Sequence, residues 1–117
     1  MNCAAVTKRF PAIDFPEAEW DRRHRRQSQG TFLRCQAFGR KMVAQKTGKI
    51  VNFVSIAGLA GHSNSAAYQA CKGVVVQLTR VLAVEWAPHH VCANAIPPLI
   101  VMTPSRRCAP GSGPPVF

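Results

Sequence analysis

Two short apolar runs enclose a long stretch with helical period, and this strand–helix–strand order constrains the fold more than any other feature of the chain. Lys49-Ile50-Val51-Asn52-Phe53-Val54-Ser55 reads as a mostly buried strand. Ser65 to Ala87 reads as a helix, with Val74, Val75, Leu78, Val81, Leu82 and Trp86 on one face and Pro88 as its stop. Val76, Ala83 and Val84 widen the apolar stripe, which predicts burial on two sides, against a sheet and against a partner subunit. Val91 to Ile96 is the second strand. Buried strands joined by a helical crossover predict a parallel α/β sheet. Two strands alone do not complete one.

Upstream, residues 1–15 read as a loop, and Asp14-Phe15-Pro16-Glu17 carries the proline and acid of a helix start. That helix runs through Trp20 and then meets Arg22-Arg23-His24-Arg25-Arg26-Gln27-Ser28-Gln29, which has no apolar side chain. Lacking a stripe to pack, this run is expected to interrupt the helix. The period returns from Gly30 with Phe32, Cys35, Phe38, Met42 and Val43, and Thr47-Gly48 is expected to end it with glycine in the left-handed cap. Ile56 to Asn64 is a loop, and from Pro97 the chain is irregular. The organisation expected is one domain over 1–104 and an irregular tail over 105–117.

The formal charge of +10 raises the possibility of nucleic-acid binding. Its distribution argues against it: outside the 22–26 run and Arg106-Arg107 the basic residues are scattered, without aromatics interleaved to stack on bases. The five cysteines, Cys3, Cys35, Cys71, Cys92 and Cys108, are odd in number and show no C-x-x-C spacing, so neither a disulfide framework nor a zinc site is indicated. No apolar run approaches a membrane span, and no secretory signal is visible, so a cytoplasmic protein with reduced thiols is expected.

The chemistry-bearing residues cluster around the first strand and the long helix. Tyr68 and Lys72 stand four apart and share a helix face. A phenol is a poor base at neutral pH, and a neighbouring ammonium favours its phenolate, which suits it to acid/base work. Ser55 ends the preceding strand, where open α/β sheets place their ligands. A Tyr-x-x-x-Lys pair alone is more often a solvated surface pair. Its sequence surroundings set this pair apart.

Gly48-Lys49-Ile50-Val51-Asn52-Phe53-Val54-Ser55-Ile56-Ala57-Gly58, followed by Ser65-Ala66-Ala67-Tyr68-Gln69-Ala70-Cys71-Lys72-Gly73, resembles the active-site block of the short-chain dehydrogenase/reductase family, including the serine thirteen positions before the tyrosine. Val91-Cys92-Ala93-Asn94-Ala95-Ile96 is similar to the strand that follows there, and Trp20-Asp21-Arg22 with Gly30-Thr31-Phe32-Leu33 to the preceding helix. Asn2-Cys3-Ala4-Ala5 resembles its Asn-Asn-Ala-Gly turn, and Arg9 to Pro16 is similar to gluconate-type sugar-acid dehydrogenases. The resemblance covers residues 1–104. It implies a partial Rossmann-like, doubly wound parallel sheet lacking its N-terminal cofactor-binding half. It also implies hydride transfer between NAD or NADP and an alcohol or ketone, of sugar or sugar-acid type. On that basis Tyr68 is the general acid/base, Lys72 promotes the phenolate and holds the nicotinamide ribose, and Ser55 with Tyr68 holds the substrate oxygen. Asn2 and Thr103 contact the cofactor, and the 65–87 helix carries a homo-oligomer contact.

Three departures stand out. No Gly-x-x-x-Gly-x-Gly follows a strand, so poor cofactor binding by this chain alone is expected. The family's catalytic asparagine falls at Gln27, and Pro98-Leu99 replaces a Pro-Gly turn, where leucine resists a positive φ. His24 to Gln29 is also what codons for the family's Ile-Asp-Val-Asn-Leu-Lys encode when read one base early, and the tail from Ser105 has the composition of a second displaced frame. The rival readings are a non-catalytic remnant and, less favoured, a basic nucleic-acid-binding protein.

Overall fold

The computed structural model describes residues 9–99; Asn2, Thr103 and the 105–117 tail lie outside them. A 3-10 turn at Ala12–Asp14 leads into helix α1 (Glu17–Arg23), a π-helical segment (His24–Gln29) and helix α2 (Gly30–Gln45). Strand β1 (Gly48–Phe53), a 3-10 turn (Ile56–Gly58), helix α3 (Ala66–Trp86), a further 3-10 turn (Ala87–His89) and strand β2 (Val91–Ile96) complete the order. The strands pair in parallel from Gly48↔Val91 to Phe53↔Ile96, with α3 as the crossover.

The basic run does not break the helix. Its polarity is handled by the aromatics before it: the Arg23 guanidinium lies 5.9 Å from the Phe15 ring centre, and Trp20 and His24 stack at 4.6 Å. Arg22 pairs with Glu19 at 2.6 Å. Arg23 and Ser28 are buried, five residues apart, a spacing that the wide π turn accommodates.

Two further expectations are corrected. Lys46, not glycine, takes the left-handed conformation that ends α2 (φ 54°, ψ 32°), which leaves Gly48 to open β1. β1 is also not mostly buried. Asn52 and Val54 face α3, while Lys49, Val51 and Phe53, with Cys92, Asn94 and Ile96 of β2, form an exposed face. Parallel sheets ordinarily cover both faces.

The core lies between the covered sheet face and the helices. Cys35, Leu82 and Ala93 form its centre, with Ile50, Leu78, Ala83 and Trp86 packed against them. Along α3 the buried line is Ala67, Cys71, Val75, Thr79 and Leu82. Of the rest of its broad stripe, Val76, Leu78, Ala83 and Trp86 are half-buried, and Val74, Val81 and Val84 are exposed. A polar chain crosses the core: the Cys35 thiol donates to Asn52 Oδ1 (3.6 Å), Asn52 Nδ2 to Thr79 Oγ1 (3.0 Å), and the Thr79 hydroxyl to the Val75 carbonyl (2.7 Å).

Candidate active site

The site is built where β1 hands over to α3. Pairing with β2 continues past the strand's end: the Val54 N–H donates to the Ile96 carbonyl (3.0 Å) and the Ile56 N–H to that of Pro98 (3.4 Å). Ser55, extended between them, accepts a hydrogen bond on Oγ from the Ala57 N–H at 3.2 Å and so caps the short turn that follows. This contact uses an oxygen lone pair, and the hydroxyl proton can still be donated elsewhere.

The turn then sits directly on α3. A Cβ at Gly58 would fall 2.8 Å from the Lys72 carbonyl carbon and 2.9 Å from its oxygen, so only glycine permits this approach. On the far side, Gln69 Nε2 donates to the His62 carbonyl (2.9 Å) and to Ser65 Oγ (2.8 Å), which ties the loop to the first turn of α3 beside Tyr68.

Tyr68 and Lys72 are both part-exposed. Lys72 Nζ donates to the Phe53 carbonyl at 3.1 Å and lies 5.8 Å from the Tyr68 ring centre. The Val54 N–H points to β2, so the Phe53 carbonyl of the same peptide points to the opposite edge of β1, and Lys72 reaches it there. The structure thus brings Lys72 to Tyr68 and to the strand end that carries Ser55, whose own hydroxyl is engaged locally with Ala57.

Behind this edge lies the π segment. Cys71 is fully buried, and burial pushes its thiol up from the usual value, opposed by a hydrogen bond from Ser28 and by the charges of Arg23 and Lys72. Gln27 accepts from Thr31 Oγ1 on its backbone carbonyl at 2.6 Å, and its side-chain Oε1 is buried without a partner, as is His24 Nε2. Sequence reasoning singled out Gln27 but missed the burial of Arg23 and Ser28. It also missed the seat of Gly58 on α3, for which the glycine in the post-strand turn was the only available signal.

The residues present fit one end of a nicotinamide cofactor. Lys72 and Tyr68 offer an ammonium and a phenol at a strand's C-terminal end, suited to ribose hydroxyls. Among the described residues no Gly-x-x-x-Gly-x-Gly turn leads from a strand into a helix. Leu99 is not among the described non-glycine residues with positive φ, which are Lys46, Asn64 and His90. No described helix is long and apolar enough to cross a membrane.

Comparison with known proteins supplies the lineage. The chain is 41% identical over 102 residues to an NAD-dependent glycerol dehydrogenase of Listeria innocua, covering 87% of this chain and 40% of that protein. It is 38% identical over 98 residues to a 5-keto-D-gluconate 5-reductase of Escherichia coli, covering 84% and 39%. Among solved structures, a gluconate 5-dehydrogenase from Burkholderia cenocepacia in complex with NADP and tartrate superposes with a TM-score of 0.82 at 31% identity, covering 90% of this chain and 41% of that one. An NAD+-bound xylitol dehydrogenase gives 0.80 at 35%, covering 84% and 38%. The chain therefore spans about two fifths of the length of the relatives it matches. These structural relatives bear out the Rossmann-like α/β class. The short chain dehydrogenase family model matches residues 1–110, and the chain is a member of the short-chain dehydrogenase family of oxidoreductases.

Proposed function

We propose that this chain is the catalytic segment of an NAD(P)-dependent oxidoreductase that interconverts a polyol or sugar-acid alcohol with its ketone. The observation that carries the reading is Lys72, held between the Phe53 carbonyl and the Tyr68 ring at the end of β1. A bound nicotinamide supplies the hydride donor or acceptor. Tyr68 moves the proton at the substrate oxygen, Ser55 donates a hydrogen bond to that oxygen, and Lys72 favours the phenolate and binds ribose hydroxyls. Asn2 and Thr103 are assigned to the cofactor by family resemblance. The exposed Val74, Val81 and Val84 face of α3 is assigned to a homo-oligomer contact, and the compartment to the cytoplasm.

The substrate class rests on the glycerol, gluconate and xylitol names of the relatives. The test is a graft. Residues 1–104 replace the matching segment of the Listeria glycerol dehydrogenase, which brings its own remaining chain, and nicotinamide absorbance is followed over a panel of polyols and sugar acids with both cofactors. Turnover that disappears with Tyr68→Phe supports the reading. A folded, cofactor-binding graft that turns over none of the panel removes it.

A further inference from the structure

Asn52 is a polar residue in the middle of an otherwise apolar strand run, and a buried amide is tolerated only when it is partnered. Its partners come from both helices that pack on the strand: the Cys35 thiol on α2 donates to Oδ1, and Nδ2 donates to Thr79 Oγ1 on α3. The Thr79 hydroxyl in turn donates a hydrogen bond to the Val75 carbonyl, so the donors all run in one direction. Asn52 and Thr79 are 8% and 3% exposed, so sliding either element would leave amide groups orphaned out of reach of water. Valine and leucine contacts, by contrast, are non-directional, and α3 is rich in them.

The position of this link matters. Thr79 lies seven residues, about two turns, beyond Lys72 on the same side of α3, and Asn52 immediately precedes Phe53, whose carbonyl receives the Lys72 ammonium. We infer that Asn52 and Thr79 are positioning residues: their hydrogen bond sets the longitudinal register of α3 on β1, and thereby decides that Lys72 meets the strand end and Tyr68 stands over the Ser55 turn. The inference takes its catalytic meaning from the oxidoreductase reading, but the register it describes exists without cofactor or substrate.

Two measurements on the full 117-residue chain test it. Pulse alkylation with peptide mapping reads the exposure of Cys35, with exposed Cys92 as the reference, and nuclear Overhauser contacts between the Lys72 side chain and Phe53–Val54 read the register. In the unaltered chain Cys35 is expected to be protected and the contacts present. If Cys35 reacts like Cys92, or the contacts are missing, the proposal is overturned. Thr79→Val, nearly isosteric, should raise Cys35 alkylation about tenfold, the order of change that loss of one buried hydrogen bond allows, and abolish the Lys72 contacts. Thr79→Ser should restore both. Against the case that Thr79→Val unfolds the chain, the double variant Asn52→Leu/Thr79→Val leaves no buried amide or hydroxyl unpaired, only the weakly donating Cys35 thiol. It should fold by circular dichroism yet still lack the Lys72–Phe53 contacts. Should any folded variant without the Asn52–Thr79 bond retain those contacts, a merely structural role is left and the proposal fails. None of these readouts needs turnover, so a grafted enzyme without activity would remove the oxidoreductase reading and leave the register result standing.

Discussion

Gly58 and Lys72 meet backbone to backbone: the space where a Gly58 side chain would begin is taken by the Lys72 carbonyl, 2.8 Å from its carbon. A methyl group there has no flexible neighbour to displace, and either the turn or the helix must move. Gly58→Ala should therefore cost about 1–3 kcal/mol, the usual range for overpacking. A lower urea midpoint with an unchanged slope checks it. In the graft the same substitution should reduce turnover, because the turn it displaces begins at Ser55.

Tyr68→Phe in the graft should lower turnover by about a hundred- to ten-thousandfold, the range for loss of a general acid/base, with cofactor affinity nearly unchanged. The ring and its packing remain when the hydroxyl goes. Lys72→Met should weaken both turnover and cofactor binding, since one ammonium serves phenol and ribose. Steady-state rates and isothermal titration separate the two outcomes. Equal activity in Tyr68→Phe and its parent would take Tyr68 out of the mechanism.

Cys71 gives a pH signature. Its thiol is pushed up from the usual 9.0 by burial, so the folded chain holds a proton that the unfolded chain gives up. The stability from this group is fully present below the unfolded value and is lost as pH rises through the folded one. Urea midpoints should fall above about pH 9 more steeply for the parent than for Cys71→Ala, whose side chain does not titrate. Parallel curves for the two would show that Cys71 is not the group responsible.

The gene carries a further test of the basic run. A displaced frame over His24 to Gln29 requires a one-base gain or loss on each side, and the corrected frame should place asparagine at position 27. Resequencing the locus decides it. If no frame encodes an Ile-Asp-Val-Asn-like segment, the arginines are encoded as such.

What the sequence made legible follows from period and spacing. β2 and α3 were readable to within a residue or so because apolar alternation and Pro88 mark them plainly. Tyr68 and Lys72 share a face because four residues make about one turn. The failures came where tertiary partners overrode local pattern. The basic run stays helical because Phe15 and Trp20 receive Arg23 and His24, contacts that no helical period encodes. Lys46 takes the left-handed cap that Gly48 was expected to supply. The half-bare sheet was hidden because an apolar run looks the same whether one face or both are covered. Asn52 was the missed clue: a lone amide within Ile50-Val51-Asn52-Phe53-Val54 announces a buried partner, though not which one.

The wide turn at His24–Gln29 works as a phase shifter in an otherwise uniform screw. From its last turn onward, Ser28, Cys35 and Gly39 repeat at seven and four residues, the rhythm of an ordinary helix seam. Before it, Arg23 stands five residues from Ser28, a step that at 3.6 residues per turn would carry it well off that seam. Removing one residue from the wide turn should leave a regular helix with Arg23 four residues from Ser28, the spacing an ordinary turn keeps on one seam, so Arg23 should stay buried and Phe15 should keep its contact. The wide turn thus takes up one residue more than a regular helix would hold, while the same face stays turned to the core on both sides of it.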